Sequence, residues 1–517
     1  MSRPAYYNKI MALEQLAEAI GSRPRERKVI MCHGTFDIVH PGHLRHLHYA
    51  KEKADLLIAS VTADVHILKA NFRPYIPEEL RAANLAALEM VDFVIIDPNP
   101  TPVANMRVLQ PDYFAKGYEY SANGVPPKTR EEMDTLAEYG GEIVFTPGDV
   151  VYSSSALIEA APPRIGTEKL LALMESEGIS FGDLRRSLTQ TSKIHVHVIG
   201  DTIVDSYSYC SILGAAPKSP TFSVKHDSTD VFSGGAAVVA KHMEAAGAQV
   251  TFSTVLGEDQ LKDFVLDDLK TANVECRAFV DHTRPTTHKE RFIADGYKLL
   301  QVDRVDNRTV SDKAQDFLAE AIAGQPADVV IFSDFRHGIF NRGTIAKLRA
   351  AIPKQALKVA DSQVSNRWGN ILDFTEFDLL TPNEREARFA LGDQDSVVRP
   401  LASELFKLAC CRYLILKLGE RGLIGYRSPG PMPREFFTID TFVDRLVDPI
   451  GAGDALLAHA TLALVTTDNI VVASILGSIG AAIACERQGN TPVTPQEVED
   501  KIELLERRAR YEVLAPA

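Results

Sequence analysis

Gly451-Ala452-Gly453-Asp454 runs straight into an apolar stretch, and residues of those types in that order can move a phosphoryl group onto a hydroxyl. At a helix start, the backbone N–H groups of Gly451, Ala452 and Gly453 would face a phosphate with no side chain in the way, and the helix dipole would favour the developing negative charge. Asp454 would then take the proton of the attacking hydroxyl. A glycine turn followed by an ordinary first-turn carboxylate accounts for the same four residues, so other parts of the chain must decide. A second set, Gly34-Thr35-Phe36-Asp37-Ile38-Val39-His40-Pro41-Gly42-His43, places two imidazoles three positions apart at a strand-to-helix turn. Both can face the same phosphate oxygens, and Gly42 lets a nucleotide approach the backbone. His-x-x-His by itself would equally fit two surface histidines or, more weakly, a metal pair.

Such residues need strands that end in polar loops along one sheet edge. Residues 28–32 form a short β-rich run, 44–53 read as a helix, and 55–61 are apolar enough for a buried parallel strand, together one βαβ unit. Strand-like runs at 93–96, 113–115 and 143–145 alternate with helical patterns at 78–89 and 129–139, so an open α/β sheet is expected over residues 1–163. Residues 164–190 read as a helical connector, with helices at 168–177 and 181–187. A second α/β pattern fills 191–517, with strands expected at 195–199, 250–255, 329–332, 357–360, 379–380 and 413–416. Within it, 207–212 and 221–225 alternate as short antiparallel strands outside the main sheet, suited to a small β lid or a subunit contact.

The 517 residues allow two large cores, and a net charge of -13 with no basic block argues against nucleic acid as a partner. Phosphorylated small molecules ask only for local positive charge. The six cysteines include no Cys-x-x-Cys pair, which points to reduced thiols, a cytoplasmic setting and no zinc. The first twenty residues, with Glu14 and Glu18 on an amphipathic pattern, do not read as a targeting segment, and no stretch reads as a bilayer span.

The first domain resembles the cytidylyltransferase-like nucleotidyltransferases, on Gly34-Thr35-Phe36-Asp37 followed by His40-x-Gly42-His43. Thr62-Ala63-Asp64, Arg81, Lys116-Gly117-Tyr118-Glu119-Tyr120 and Ser153-Ser154-Ser155 follow in the family's order, with Tyr118 where a glycine is commoner. The resemblance, nearest to the heptose 1-phosphate nucleotidyltransferases, implies a Rossmann-like fold. It puts His40 and His43 on the α and β phosphates, Lys116 on the transferring group, and Ser153, Ser154 and Ser155 on the leaving pyrophosphate. Gly34, Thr35, Phe36, Asp37, Gly42 and Arg81 complete the implied nucleotide site. For the serines a helix cap is an equal reading of the residues alone, and for Lys116 a solvated surface lysine is the plain one.

The remainder resembles the ribokinase-like (PfkB) sugar kinases, nearest to the heptose 7-phosphate kinases. Gly200-Asp201-Thr202-Ile203-Val204-Asp205, Gly234-Gly235-Ala236-Ala237, Arg284 to Arg291, Gln301 to Arg304, Thr381-Pro382-Asn383-Glu384-Arg385-Glu386, Lys417-Leu418-Gly419 and Gly451 to Asp454 carry the match. The resemblance implies sugar contacts from Asp205, Gly234, Gly235, Lys289 and Arg291, nucleotide contacts from Lys417 and Gly419, and an indirect magnesium site at Asn383 and Glu386. Lys289 and Arg291, two apart on a strand, share a face and could grip a phosphate already on the acceptor. Two departures bear on the acceptor: Arg336 lies in Ser333-Asp334-Phe335-Arg336-His337-Gly338, where the family has a lysine, and Val238 stands for a sugar-binding asparagine. Arg336 could restore the lysine's charge, though a planar guanidinium is not a neutral swap.

These resemblances imply a bifunctional enzyme using magnesium, with sugar phosphates and nucleoside triphosphates as partners, ATP ahead of CTP as nucleotidyl donor. Its domain order is reversed relative to the familiar fused heptose enzyme. A different sugar or polyol with CTP is the nearest alternative, and a degraded kinase domain kept for dimerisation or regulation is the other. A homodimer or higher oligomer through the strands after Asp205 is implied by resemblance alone.

Overall fold

Alternation along the first strand explains the first sheet. Val29 and Met31 pack into one core cluster while Ile30 and Cys32 pack into another, so β1 (Val29–Gly34) is apolar on both faces, as a central parallel strand must be. The computed structural model describes residues 4–67, 74–117, 127–146, 166–215, 222–363, 370–428 and 435–510. The chain divides into two units, Met1–Ala172 and Leu173–Ala517.

In the first unit, β1 joins β2 (Leu56–Thr62), β3 (Phe93–Asp97), β4 (Tyr113–Gly117) and β5 (Glu142–Thr146) in the order β3-β2-β1-β4-β5, every pair parallel. Strand order reverses between β1 and β4, and in such sheets the crevice at the carboxyl ends of those two strands receives ligands. The helix after β1 is Pro41–Lys51, three residues earlier at its start than the sequence pattern suggests. The His40 side chain caps it and Pro41 is pre-shaped for the first helical position.

The second unit is built on nine strands. They are β6 (His195–Gly200), then β9 (Gln249–Gly257), β10 (Glu275–Asp281), β13 (Val329–Asp334), β14 (Leu357–Ser362), β15 (Leu379–Leu380), β16 (Tyr413–Lys417), β17 (Leu423–Arg427) and β18 (Phe436–Ile439). Their order is β10-β9-β6-β13-β14-β15-β16-β17-β18, parallel except for the last two pairings. A separate four-stranded sheet, β12-β11-β7-β8, uses β7 (Thr202–Ala215), β8 (Phe222–Gly235), β11 (His288–Ala294) and β12 (Tyr297–Arg304). The short strands expected at 207–212 and 221–225 are thus two 14-residue strands. Their register shifts after Tyr209 and after Ile212, and such irregularities blur the period-2 pattern from which length is read. The helix Phe181–Thr189 of the connector segment packs on this unit, with Arg185 paired to Glu499 at 2.7 Å and Ser187 Oγ 2.7 Å from Thr466 Oγ1.

The apolar stretch after Asp454 becomes the helix Ala452–Thr467, buried on all sides through Leu464, and the next helix, Ile470–Cys485, is apolar all round for the same reason. No helix among the described residues is long and apolar enough to cross a membrane. In the core of this unit Phe374 packs edge to face on Phe332, Phe340 and Phe377, and Phe332 on Phe377, contacts that add specific geometry to the buried area. All six cysteines are free, Cys32, Cys210, Cys411 and Cys485 in buried positions.

Candidate active sites

In the first unit, the turn after β1 is held from below. Phe36 takes a left-handed backbone conformation (φ 48°) and its ring meets His43 edge-on at 5.2 Å. A bulky residue there stores strain that surrounding contacts must maintain. Asp37 is buried and accepts N–H bonds from Tyr75 (3.0 Å) and Ile76 (2.8 Å). Arg81 is fully buried; it donates to Ile76 O at 2.9 Å, to Thr62 O at 2.8 Å, to Thr35 O, and to Asp64 Oδ1 at 2.5 Å. Arg81 therefore sits as a strut between the loops after β1 and β2, a place different from the phosphate contact its sequence position suggests.

His40 and His43 stack with ring centroids 4.0 Å apart. The Gly42 N–H donates to His40 Nδ1 at 3.2 Å, so a neutral His40 carries its proton on Nε2. His43 Nδ1 faces Ile38 O at 3.1 Å and must be the donor there, so His43 Nε2 becomes a donor only when the ring is protonated. Lys116 ends β4 across the crevice, its ammonium paired with the buried carboxylate of Glu132. Burial pushes the Glu132 carboxyl above the usual range, against the pull of Lys116. The structure thus brings His40, His43 and Lys116 to the carboxyl ends of the two switch-point strands, with Gly34, Thr35 and Gly42 in the intervening backbone. Tyr118, Ser153, Ser154 and Ser155 lie outside the described residues.

Two side chains here carry no sequence signal beyond their type. His33 lies between Ser60 Oγ (2.9 Å) and Thr62 Oγ1 (3.2 Å), and burial, with Lys116 and Lys128 nearby, pulls its pKa down to about 3, so it is neutral. Glu132 is found only once the helix Pro127–Glu138 is folded against β4.

In the second unit, strand register brings together the residues expected to contact the acceptor. β11 pairs parallel to β7 with Lys289 opposite Asp205 and Arg291 opposite Tyr207, so all four share a face. Arg291 Nη1 donates to Asp205 Oδ1 at 2.6 Å and its guanidinium lies 5.2 Å from the Tyr207 ring centre. A Cβ on Gly234 would stand 2.3 Å from Asp205 Oδ2, which explains why that position carries no side chain. Gly235 follows at φ 64° as the cap of the helix Ala236–Ala245. Arg336, however, does not point a charge at an acceptor. It is buried, with Nε 2.8 Å from Asp334 Oδ2 and Nη2 2.7 Å from Asp373 Oδ2, so the expectation that it replaces the family's lysine gives way to a structural ion network. Asp201 fixes the same loop, accepting from the backbone of Phe335, His337 and Ile339. Val238 is buried in the helix after Gly235.

The residues expected to meet the phosphoryl group gather where the helix Ala452–Thr467 begins. Gly451 is left-handed (φ 82°), and a Cβ there would collide with Asn490 Oδ1 at 2.0 Å. Asp454 is buried in the first turn, with the Gln363 and Asn490 amides each 3.5 Å from its carboxylate. Burial and the neighbouring Asp361 push its pKa up to about 7, with Lys417 pulling the other way. Lys417 Nζ pairs with Asp361 Oδ1 at 3.0 Å. Burial pulls that ammonium down, but Asp361, Glu386 and Asp454 outweigh it and hold Lys417 charged. Asn383 and Glu386 close a capping box, Asn383 Nδ2 donating to Glu386 Oε1 at 2.6 Å, at the start of the helix Glu384–Leu391. Gly419 lies in the turn after β16.

Asp361, Gln363, Asn490 and His242 are the side chains of this site that sequence reasoning missed. Asp361 was within reach, as a carboxylate at the carboxyl end of a strand at the ligand-binding edge. His242 and Asn490 were not, being 248 positions apart; His242 Nε2 lies 3.0 Å from Asn490 Oδ1, which turns the Asn490 amide nitrogen toward Asp454.

A buried carboxylate at a glycine-led helix start, at the carboxyl edge of a mainly parallel sheet with a small β lid, defines an α/β kinase fold. The chain belongs to the pfkB family of carbohydrate kinases, whose model matches residues 193–497, and residues 31–160 match the cytidylyltransferase-like model. Among curated proteins it is 28% identical over 315 residues to Bifunctional protein HldE of Pelobacter propionicus, covering 59% of this chain and 63% of that protein. It is 27% identical over 331 residues to Bifunctional protein HldE of Rhodopseudomonas palustris, covering 62% and 66%. The match thus spans slightly under two thirds of those relatives' length. Phosphofructokinase-2 from Escherichia coli, solved with potassium, shares the fold at a TM-score of 0.50 and 17% identity, over 61% of this chain and 100% of that one.

Proposed function

We propose that the chain is a bifunctional enzyme of nucleotide-sugar synthesis. The second unit phosphorylates a sugar phosphate, a heptose 7-phosphate at its anomeric hydroxyl, with ATP. The first transfers a nucleotidyl group, from ATP ahead of CTP, to a sugar 1-phosphate and releases pyrophosphate. The observation that carries the kinase reading is the buried Asp454 carboxylate in the first turn of the helix that begins at Gly451.

In the kinase, the N–H groups of Gly451 to Asp454 receive the transferring phosphoryl while Asp454 takes the hydroxyl proton. Asp205 orients the sugar, and Lys289 and Arg291 face its existing phosphate. In the nucleotidyltransferase, His40 and His43 meet charge on the α and β phosphates, Lys116 meets the transferring group, and Arg81 and Asp37 hold the loop rigid. Magnesium fits the kinase donor set through hard oxygens: Asp361 Oδ2 is buried with no hydrogen-bond partner, and Glu386 lies close by. Asp361, Asn383 and Glu386 would hold it, and when bound it would offset charge on the nucleotide phosphates.

Incubating the protein with ATP and heptose 7-phosphate, or with ATP or CTP and heptose 1-phosphate, and following products by 31P NMR tests both halves. New signals from an anomeric phosphate and from pyrophosphate are expected. Failure with the heptose but turnover of another sugar phosphate would move the substrate while leaving the chemistry in place.

A further inference from the structure

The Lys417 ammonium stands where a helix least favours a cation. Its backbone is fixed at the end of β16, the Lys417 N–H donating to Pro382 O at 2.8 Å, and its side chain is largely buried. A Cβ on Gly453 would lie 3.4 Å from Lys417 Nζ, so the ammonium sits over the first turn of the helix Ala452–Thr467. First-turn N–H groups make that end of a helix positive, and a cation beside it is repelled. Asp361, at 3.0 Å, holds it there, with Glu386 and Asp454 adding attraction. A lysine serving only as a buried ion-pair partner would gain from a position away from the helix start. Two positive features converging on one small, water-poor region instead suit an anion placed between them.

We propose that Lys417 is a catalytic residue of phosphoryl transfer, its ammonium and the N–H groups of Gly451 to Asp454 binding the same transferring phosphoryl group, with Asp361 as the residue that positions it. This rests on the kinase reading above. The acceptor oxygen forms a bond to the γ-phosphorus, its proton passes to Asp454, and the bond from phosphorus to the β-γ bridging oxygen breaks with its electron pair leaving on ADP. Charge spreads over the three remaining phosphoryl oxygens during that exchange, and Lys417 meets it there.

The test uses the full chain carrying Lys417→Met, and a second variant carrying Lys417→Gln, whose neutral amide can still donate a hydrogen bond to Asp361 and so guards against a folding defect. Turnover with ATP and heptose 7-phosphate should fall by about a hundredfold to a thousandfold in both, the range for loss of one preorganised donor. The acceptor KM should stay within about threefold, because little ground-state binding is removed. Isothermal titration gives a readout apart from turnover: ADP with magnesium should bind both variants as it binds the wild type, while the tightening produced by adding aluminium fluoride and acceptor should be lost. Turnover near wild type, or equal weakening of ADP and of the fluoride complex, would overturn the assignment to the transferring group. A wild-type protein that phosphorylates no sugar phosphate would overturn the kinase reading itself, a result distinguishable from either variant outcome.

Discussion

Arg291 and Asp205 meet across β11 and β7 at 2.6 Å, so the cation assigned to the acceptor's phosphate and the carboxylate assigned to its hydroxyls hold each other in place. Lys289, on the same face and opposite Asp205, makes no ion pair among the described residues. On the proposed reading the two cations are therefore unequal: Arg291 would orient a sugar contact as well as supply charge, and Lys289 would supply charge.

Lys289→Ala should raise KM for the phosphorylated acceptor about tenfold and leave the unphosphorylated sugar unaffected, the loss expected for one charge-assisted contact. Arg291→Ala should weaken both acceptors, because it also frees Asp205. Steady-state kinetics with a sugar phosphate and the same sugar unphosphorylated separates the two variants. Equal use of both acceptors by the wild type would remove the phosphate grip altogether.

Asp454 gives the kinase a pH signature. Burial beside Asp361 raises its pKa to about 7, and a base works only when ionised, so kinase turnover should rise with pH through about 7 and fall below it. Asp454→Asn should reduce turnover by about a hundredfold to ten-thousandfold and abolish that limb of the profile. Nucleotidyl transfer in the same preparation should be unchanged. A profile that kept its inflection in the asparagine variant would assign the ionisation to another group.

Much of this was legible in the chain because local chemistry and distant structure coincide at loops. Gly451 to Asp454 needed only a helix start, and residues 34–43 only a strand-to-helix turn, both of which short-range patterns specify. Lys289 and Arg291 were placed on one face by the period of a strand alone. What stayed hidden were partners chosen by tertiary packing. The pairings of Arg291 with Asp205, Arg336 with Asp373 and Lys116 with Glu132 join residues 86, 37 and 16 positions apart, and no periodicity records them. Arg336 is instructive, since its type suggested a substrate charge and its buried surroundings assign it to holding the loop after β13. The length of β7 and β8 was hidden for another reason, their bulges interrupting the alternation that would have shown two long strands.

His40 and His43 should separate by tautomer. A neutral His40 already presents a donor at Nε2, because Gly42 donates to its Nδ1, whereas His43 needs a second proton to do so. His40→Ala should lower nucleotidyl turnover about a hundredfold or more, as loss of a preorganised donor does. His43→Ala should cost less, because its Nδ1 proton is already given to Ile38 O. Steady-state pyrophosphate release checks both, and a change confined to the nucleotide's KM would make the histidines ground-state binding groups.

Arg81 decides between a strut and a phosphate ligand. Its guanidinium is fully buried and satisfies carbonyls at Thr35, Thr62 and Ile76 as well as Asp64. Removing it leaves those carbonyls short of donors, at about 1–3 kcal/mol for each that water cannot reach. Arg81→Met should therefore destabilise the first unit by on the order of 3 kcal/mol, a large share of a typical domain's stability. Nucleotidyl transfer should lose activity on heating at a temperature several degrees lower than in the wild type, while kinase activity in the same chain keeps its thermal midpoint. Below the transition, the nucleotide's KM should be nearly normal. Arg81→Lys should recover little, because one ammonium cannot reach four acceptors spread around a planar fork. If Arg81→Met instead kept the thermal midpoint and raised only the nucleotide's KM, the arginine would be touching phosphate, as its place in the sequence motif suggests.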